Sequence, residues 1–353
     1  MLWYLGRRLL SLPLTILVVT LVLFFLILQL PVEERAKVYM PTMRPNASEE
    51  QEQELLQRAI DHYGLDKPFP VQYVSWLRNL VSGEWGYSPT WRQPVLDGLL
   101  QRAPASAELA LAAMIPAVVL ALALGSLASR RSGRLPDHLV RAAAFVAWAM
   151  PAFVSALVLI NLLYAWLGWF PPGRLSTWAN QIVEAKEFRT VTGMVTVDAL
   201  LNNQPKVWLD AARHLVLPAF TLALAQWALL ARVMRSSLLE ALSQDYVTTA
   251  RAKGVPERRV VNLHARRNAI TPVISTGGVT VAMLISTMVV VESVFAFDGL
   301  GSAATEAMWN GDVQTVVGFT LLSCIVAVLS SFAADVLCWL VDPRMRPTGA
   351  LVR

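Results

Sequence analysis

The residues best placed to do chemistry lie together, late in the chain. From Leu238 to Lys253 there is neither glycine nor proline, and Leu238, Leu239, Leu242, Tyr246, Thr249, Ala250 and Lys253 recur at three- and four-residue steps. That spacing predicts one face of a helix. Gly254 suits the left-handed residue just past a helix end, and Pro256 prevents continuation while allowing a second short helix to start there. The surrounding segment is basic, with Arg232, Arg235, Arg251, Lys253, Arg258, Arg259, Arg266 and Arg267. Its apolar face is small and rich in alanine and threonine, which anchors poorly in lipid but permits close approach by another protein; a basic helix lying on anionic headgroups is the alternative. Arg267 and Asn268 read as caps of the second helix or as headgroup contacts.

Other chemistries are excluded or weak. A phosphate-cradling loop needs G-x-x-x-x-G-K-[ST], and no Gly-Lys pair occurs, so the chain does not hydrolyse ATP by that route. Gly299-Leu300-Gly301 lacks the third glycine and the preceding strand of a dinucleotide loop. His62, His138, His214 and His264 are scattered, which predicts no metal site. Cys324 and Cys338 share one apolar run; on a helix they stand about 21 Å apart, too far to bridge, and read as small buried hydrophobes. Polar groups within apolar segments suggest function by default. Of these, Asp335 lies close enough to a charged end to favour a salt bridge with a loop arginine, which leaves Asn161 and Glu292 as candidates for contact with a solute.

These groups must be positioned by a membrane-embedded scaffold. Of 353 residues, 55% are hydrophobic and 16% charged, and mean hydropathy is +0.49, whereas a soluble domain carries about 25% charged residues. Six apolar segments are long enough to cross a hydrocarbon core about 30 Å thick: Leu9 to Leu30, Pro104 to Ser129, Ala142 to Leu167, His214 to Leu230, Pro272 to Val291 and Val313 to Ala334. The fourth is the weakest, being short and bounded by Arg213 and Arg232. The first, behind Arg7 and Arg8, is too long for a signal peptide and reads as a retained span.

Charge assigns the sides, because positively charged loops stay in the cytoplasm. The N-terminus, the second-to-third and fourth-to-fifth loops and the tail carry 17 Lys and Arg against 5 Asp and Glu; residues 31–103, 169–212 and 292–312 carry 12 against 18. Both termini are therefore expected in the cytoplasm, which suits an even number of spans. The net charge of +5 is a topology signal, and no nucleic-acid partner is expected.

Two outer segments are too long to be simple connectors. In residues 31–103, Ser48 to Tyr63 reads as a helix with Leu55, Leu56, Ala59 and Ile60 on one face and a capping box at Ser48 and Gln51. A second apolar stripe, Tyr73, Trp76, Leu77 and Leu80, precedes an aromatic patch at Trp85, Tyr87 and Trp91. This is either a folded cap with an aromatic core or a surface that docks a soluble partner or lines the outer mouth. Segment 169–212 opens on Trp169-Phe170-Pro171-Pro172-Gly173-Arg174, whose aromatics suit the interface belt.

Asp245-Tyr246-Val247-Thr248-Thr249-Ala250-Arg251-Ala252-Lys253-Gly254, followed by His264, Arg267-Asn268-Ala269 and Pro272, resembles the EAA loop of permease subunits in ABC importers, in the form typical of the dipeptide/oligopeptide family. The resemblance runs over nearly the whole chain: Arg7-Arg8-Leu9, Gly64-Leu65-Asp66, Glu108-Leu109-Ala110, Leu167 through Arg174, His214 through Pro218, Arg235 through Glu240, Val291 through Phe295, Gly299-Leu300-Gly301 and Asp342-Pro343-Arg344. Thr248 replaces the acid of the general consensus, as in the peptide branch, and Leu30-Pro31-Val32-Glu33-Glu34 departs from the family's usual Leu-Pro-Gly-Asp-Pro.

The resemblance implies an all-α, polytopic membrane protein of the type I importer permease fold, with six transmembrane helices, in the bacterial inner membrane. It divides the chain into residues 1–30 (N-terminus and first span), an extracytoplasmic helical insertion at 31–103, and a five-span core at 104–353 with the coupling loop at 232–272. It implies a second homologous permease, two ABC ATPase subunits and an extracytoplasmic substrate-binding protein as partners. No cofactor is expected in this subunit. Asp245, Tyr246, Thr249, Ala250, Arg251, Ala252, Lys253 and Gly254 would meet the ATPase, Tyr246, Ala250, Ala252 and Gly254 by shape and Asp245, Arg251 and Lys253 by charge. The solute would be a di- or oligopeptide, with an oligosaccharide or other small solute as the alternative and a membrane-anchored receptor or scaffold as the non-transport one.

Overall fold

The computed structural model describes residues 2–37 and 49–341. The capping box at Ser48 and the tail arginines Arg344, Arg346 and Arg353 lie outside the described residues. In chain order the helices are α1 (Leu2–Ile27), α2 (Val32–Lys37), α3 (Glu49–Tyr63), α4 (Phe69–Ser82), α5 (Val95–Arg130), α6 (Leu135–Ala149), α7 (Ala152–Leu159, continued by a π-helical stretch to Trp166), α8 (Thr177–Val183) and α9 (Val195–Leu201). They continue with α10 (Pro205–Leu242), α11 (Asp245–Ala252), α12 (Glu257–Arg259), a π-helical stretch Val260–Ala265, α13 (Arg266–Val294), α14 (Leu300–Trp309) and α15 (Val313–Val341). One two-residue antiparallel ladder pairs β1 (Tyr87–Ser88) with β2 (Gln93–Pro94), Tyr87 opposite Pro94.

Among the described residues four helical segments are long and apolar enough to cross a membrane: Val95–Arg130, Pro205–Leu242, Glu257–Val294 and Val313–Val341. Leu12–Ile27 is a shorter apolar helix. Two expectations change. The third segment is no single rod, because α6 and the helix Ala152–Trp166 meet at 102°. Met150, forced out of the helical region by the proline after it, is extended at φ −82°, ψ 122°, and Pro151 starts the next helix. The fourth segment is not short, since α10 runs 38 residues, although it remains the least apolar of the four long helices. Arg213 does not bound it: its guanidinium donates to the Trp169 carbonyl at 2.7 Å and the helix passes through.

The chain divides into two compact units. One comprises Pro104–Ser302 and the later half of α15, from Val326. Its packing rests on small residues. Ala105, Leu109, Ala113, Ala117 and Ala121 form a fully buried seam at every fourth position of α5, one stripe of a 3.6-residue helix. The seam ends at Gly125, where an added Cβ would lie 2.8 Å from the Ala231 carbonyl of α10. At Gly278 of α13 it would lie 2.6 Å from the Ala334 Cβ of α15. Lipid tails are as apolar as leucine, so helices in a membrane gain by such close backbone approach.

The other unit comprises α1 from Arg7, the segment to Ala103, and Ala303–Ile325. The insertion thus belongs with parts of the first and last apolar helices, because Trp76 packs with Phe24 and Val317 in one core and Ala59, Ile60 and Leu65 close a second beside Ala36. The aromatic patch is used internally: the Trp85 indole donates to the Leu80 carbonyl, Trp91 to Glu306 at 3.2 Å, and Arg102 lies over the Trp91 ring. Ser88 and Thr315 both bond the buried Asp312 carboxylate.

Candidate functional site

The predicted helix from Leu238 to Lys253 is interrupted. Helix α10 stops at Leu242, Ser243 and Gln244 turn, and α11 starts afresh at Asp245 with Gln244 in an extended cap conformation. The break shifts the helical phase. Val247, absent from the predicted face, is wholly buried, whereas Thr249 and Lys253, included in it, are exposed. The inward side of α11 is Tyr246, Val247 and Ala250, packed on a core of Leu238, Ala241, Val260, Val261 and Ala265. The outward side is Asp245, Thr248, Thr249, Arg251, Ala252 and Lys253. Tyr246 and Ala250 therefore spend much of their apolar surface on the chain's own core, and small outward residues, Thr248, Thr249 and Ala252, are left to fit a partner.

The end of α11 is a complete Schellman motif. The Val255 N–H donates to the Ala250 carbonyl at 3.2 Å, the Gly254 N–H to the Arg251 carbonyl at 2.9 Å, and Gly254 has φ +72°. A Cβ at Gly254 would meet nothing within 4 Å, so the glycine answers to backbone conformation and not to crowding inside this subunit. Across the turn Arg251 donates two hydrogen bonds to Glu257, at 2.7 and 3.0 Å. The bond to that carboxylate raises the Arg251 guanidinium above its ordinary value. Lys253, Arg258 and Arg259 are exposed beside this pair, giving a cationic rim around a tip of small residues. Beneath the tip, the Tyr246 hydroxyl is buried without a hydrogen-bond partner, which costs about 1–3 kcal/mol.

The remaining candidates sit elsewhere. Asn161 is exposed on the π-helical stretch after α7. Glu292 is fully buried, and its oxygens accept from the Ser106 hydroxyl at 2.6 Å and from the Gly301 and Ser302 N–H groups at 2.7 and 3.1 Å. The carboxylate thereby caps the N-terminus of α14, which is a fixing role and leaves it no free face toward a solute. Asp335 is half-buried on α15.

Among the buried acids that sequence reasoning missed, two pair with arginines. Glu108 accepts from the Thr196 and Val195 N–H groups at the start of α9 and pairs with Arg174 at 3.3 Å. Asp137, with no exposed surface, accepts from Arg235 Nε at 2.6 Å and Nη2 at 2.8 Å and from the Gly133 N–H at 2.9 Å. Each lies at the end of an apolar segment, where an acid reads as a solvated boundary; only the partner's position in space reveals the pairing.

The family model described as binding-protein-dependent transport system inner membrane component matches residues 110–347, and that for the N-terminal part of such membrane components matches residues 1–110. The chain belongs to this family. It is a transport permease of the ABC importer class, a multi-pass protein of the bacterial inner membrane and not an enzyme. The permease is 38% identical to the di/tripeptide transport system permease protein DppB of Pseudomonas aeruginosa (strain UCBPP-PA14), covering 98% of this chain and 99% of that protein. It is 35% identical to the oligopeptide transport system permease protein AppB of Bacillus subtilis (strain 168), covering 81% and 83%. It is 34% identical to the dipeptide transport system permease protein DppB of Escherichia coli (strain K12), covering 80% and 83%.

Proposed function

We infer that this permease carries di- and oligopeptides handed over by an extracytoplasmic binding protein, and that it forms half of the pathway beside a second, homologous permease. Relatives named for peptides, one matched from end to end, support that solute class over an oligosaccharide. Six apolar segments, the third an elbow of two arms, carry the chain across the membrane with both termini in the cytoplasm. The subunit works without a cofactor or metal of its own. ATP is consumed in two partner ATPases, and α11 is the coupling helix that seats in them.

The observation that carries this reading is the tip of α11: a short, capped helix with small outward side chains and a glycine facing open space, ringed by cations. Asp245, Thr249, Ala252, Lys253 and Gly254 make the contact surface. Tyr246 and Ala250 set the seat of the helix on the permease, and the Arg251–Glu257 pair holds the turn. ATP-driven closure displaces α11, and the attached spans move as linked rigid bodies. The test is uptake in proteoliposomes holding the permease with its cognate subunits and binding protein. Labelled di- and tripeptides should accumulate with ATP; accumulation of labelled oligosaccharide in their place, with peptides left outside, refutes the peptide assignment.

A further inference from the structure

The polar turn between α5 and α6 touches the chain on both sides of α11. Arg130, the last residue of α5, donates to the Asn262 side chain, in the segment just after the coupling turn. Asp137, in the first turn of α6, is locked bidentately to Arg235, which lies on α10 in the last turns before α11. Within the turn, the Gly133 N–H donates to the same Asp137 carboxylate and the Arg134 N–H to the Arg131 carbonyl at 3.0 Å. The turn is thus rigid in itself and gripped at two points.

Stability alone does not dictate an ion pair at this place. A buried ion pair is commonly no more stabilising than apolar side chains of the same volume, whereas a bidentate guanidinium–carboxylate bond is directional and resists sliding. Gly125 and the alanine seam already bring α5 against α10. What the pair adds is fixed register between the base of α6 and the helix that leads into α11. Helix α6 is then a 15-residue lever running from the clamp to the bend at Met150.

We propose that residues 130–137 are a transmission clamp: held by Arg235 before the coupling helix and by Asn262 after it, the turn carries displacement of α11 directly into α5 and α6. Asp137 and Arg235 are its positioning residues. This rests on the reading of α11 as the helix that meets the ATPase. The clamp lets movement at the tip reach the third apolar segment without passing along α13.

The experiment uses the complete importer in proteoliposomes. In Asp137→Asn, ATP hydrolysis stimulated by loaded binding protein should persist while peptide uptake falls about tenfold, within the usual range of a coupling free energy. The exchanged pair, Asp137→Arg with Arg235→Asp, should recover part of the uptake, since it re-forms the pair but gives up the Gly133 N–H bond. Spin labels at Arg131→Cys and Ser243→Cys, the latter in the exposed turn that opens α11, in a chain with Cys324 and Cys338 replaced by alanine, should hold one separation with and without ATP, and that distribution should broaden in Asp137→Asn. If the Asp137→Asn importer fails to assemble, Arg235→Lys, which keeps the charge and gives up the two-point geometry, is read by the same criteria. Parallel loss of hydrolysis and uptake, full uptake, or a label separation that changes with ATP in the otherwise native chain overturns the clamp. Gly254→Trp separates the two ideas: if it leaves hydrolysis and uptake intact, the coupling reading itself falls; if it abolishes uptake while Asp137→Asn does not, only the clamp falls.

Discussion

The two ends of the fifth apolar helix are built on opposite principles, and glycine makes the contrast plain. At its C-terminal end, the outer one on the proposed sidedness, Gly299 and Gly301 are glycines because there is no room: a Cβ at Gly299 would lie 2.5 Å from Glu292 Oε1, and one at Gly301 would lie 2.6 Å from the Val289 Cα. The carboxylate they surround is fully buried with both oxygens bonded. At the other end, cytoplasmic on the same proposal, Gly254 is a glycine with open space around it. The Tyr246 hydroxyl, packed beneath that tip, is buried without a partner. One end is finished within the chain; the other is shaped as a surface to be completed by something else.

Disrupting the finished end should do the most damage. Glu292→Leu strands the Gly301 and Ser302 amides, each costing about 1–3 kcal/mol, so the purified permease should melt well below the parent. An unchanged melting temperature would mean that the outer end is not closed by this carboxylate. Gly254→Trp is the converse case. Its side chain has space, so melting should drop only by the left-handed backbone penalty of about 1–2 kcal/mol, while uptake by the assembled importer should fall more than about tenfold. Loss of uptake fully explained by loss of folded protein would erase the distinction between the ends. Tyr246→Phe removes a buried hydroxyl that has no partner within the chain; the isolated permease should melt at the same temperature or higher, by up to about 1–3 kcal/mol. A lower one would show that the cytoplasmic end is already complete. Smallest is Arg251→Gln, because both partners of the Arg251–Glu257 pair are solvent-exposed: denaturant unfolding should shift by under about 1 kcal/mol.

How much of this was legible in the sequence follows the physics of each feature. The long spans could be read directly, since lipid forces twenty or so apolar residues into helix whatever the neighbours are. The elbow could not: Pro13, Pro104, Pro116, Pro218 and Pro272 all sit inside helices, and nothing local marks Pro151 as the one that breaks its segment. Gly254 and Pro256 announced the end of α11, because helix termination is a property of a few consecutive residues. The break at Ser243 and Gln244 carries no glycine or proline, so periodicity ran through it and placed Val247 on the wrong side. Glu292 was noticed as a polar residue in an apolar segment, but its meaning lies in Ser106, 186 residues away. Asp137 and Arg235, 98 residues apart, were visible only as one more charge in each of two basic loops.

The bend between Met150 and Pro151 bears on the parity of the crossing. Helix α6 has 15 residues, about 22 Å of rise, short of a hydrocarbon core of roughly 30 Å, so neither arm traverses by itself. Were the arms to double back, every later loop would change compartment, and Arg251, Lys253, Arg258 and Arg259 would face outward while Asp298, Glu306 and Asp312 faced the cytoplasm. On the sidedness proposed above, with basic residues retained inside, the two arms pass through in succession, as oblique half-strokes. That proposal for everything after residue 151 draws on the arginines downstream and not on the segment that makes the turn.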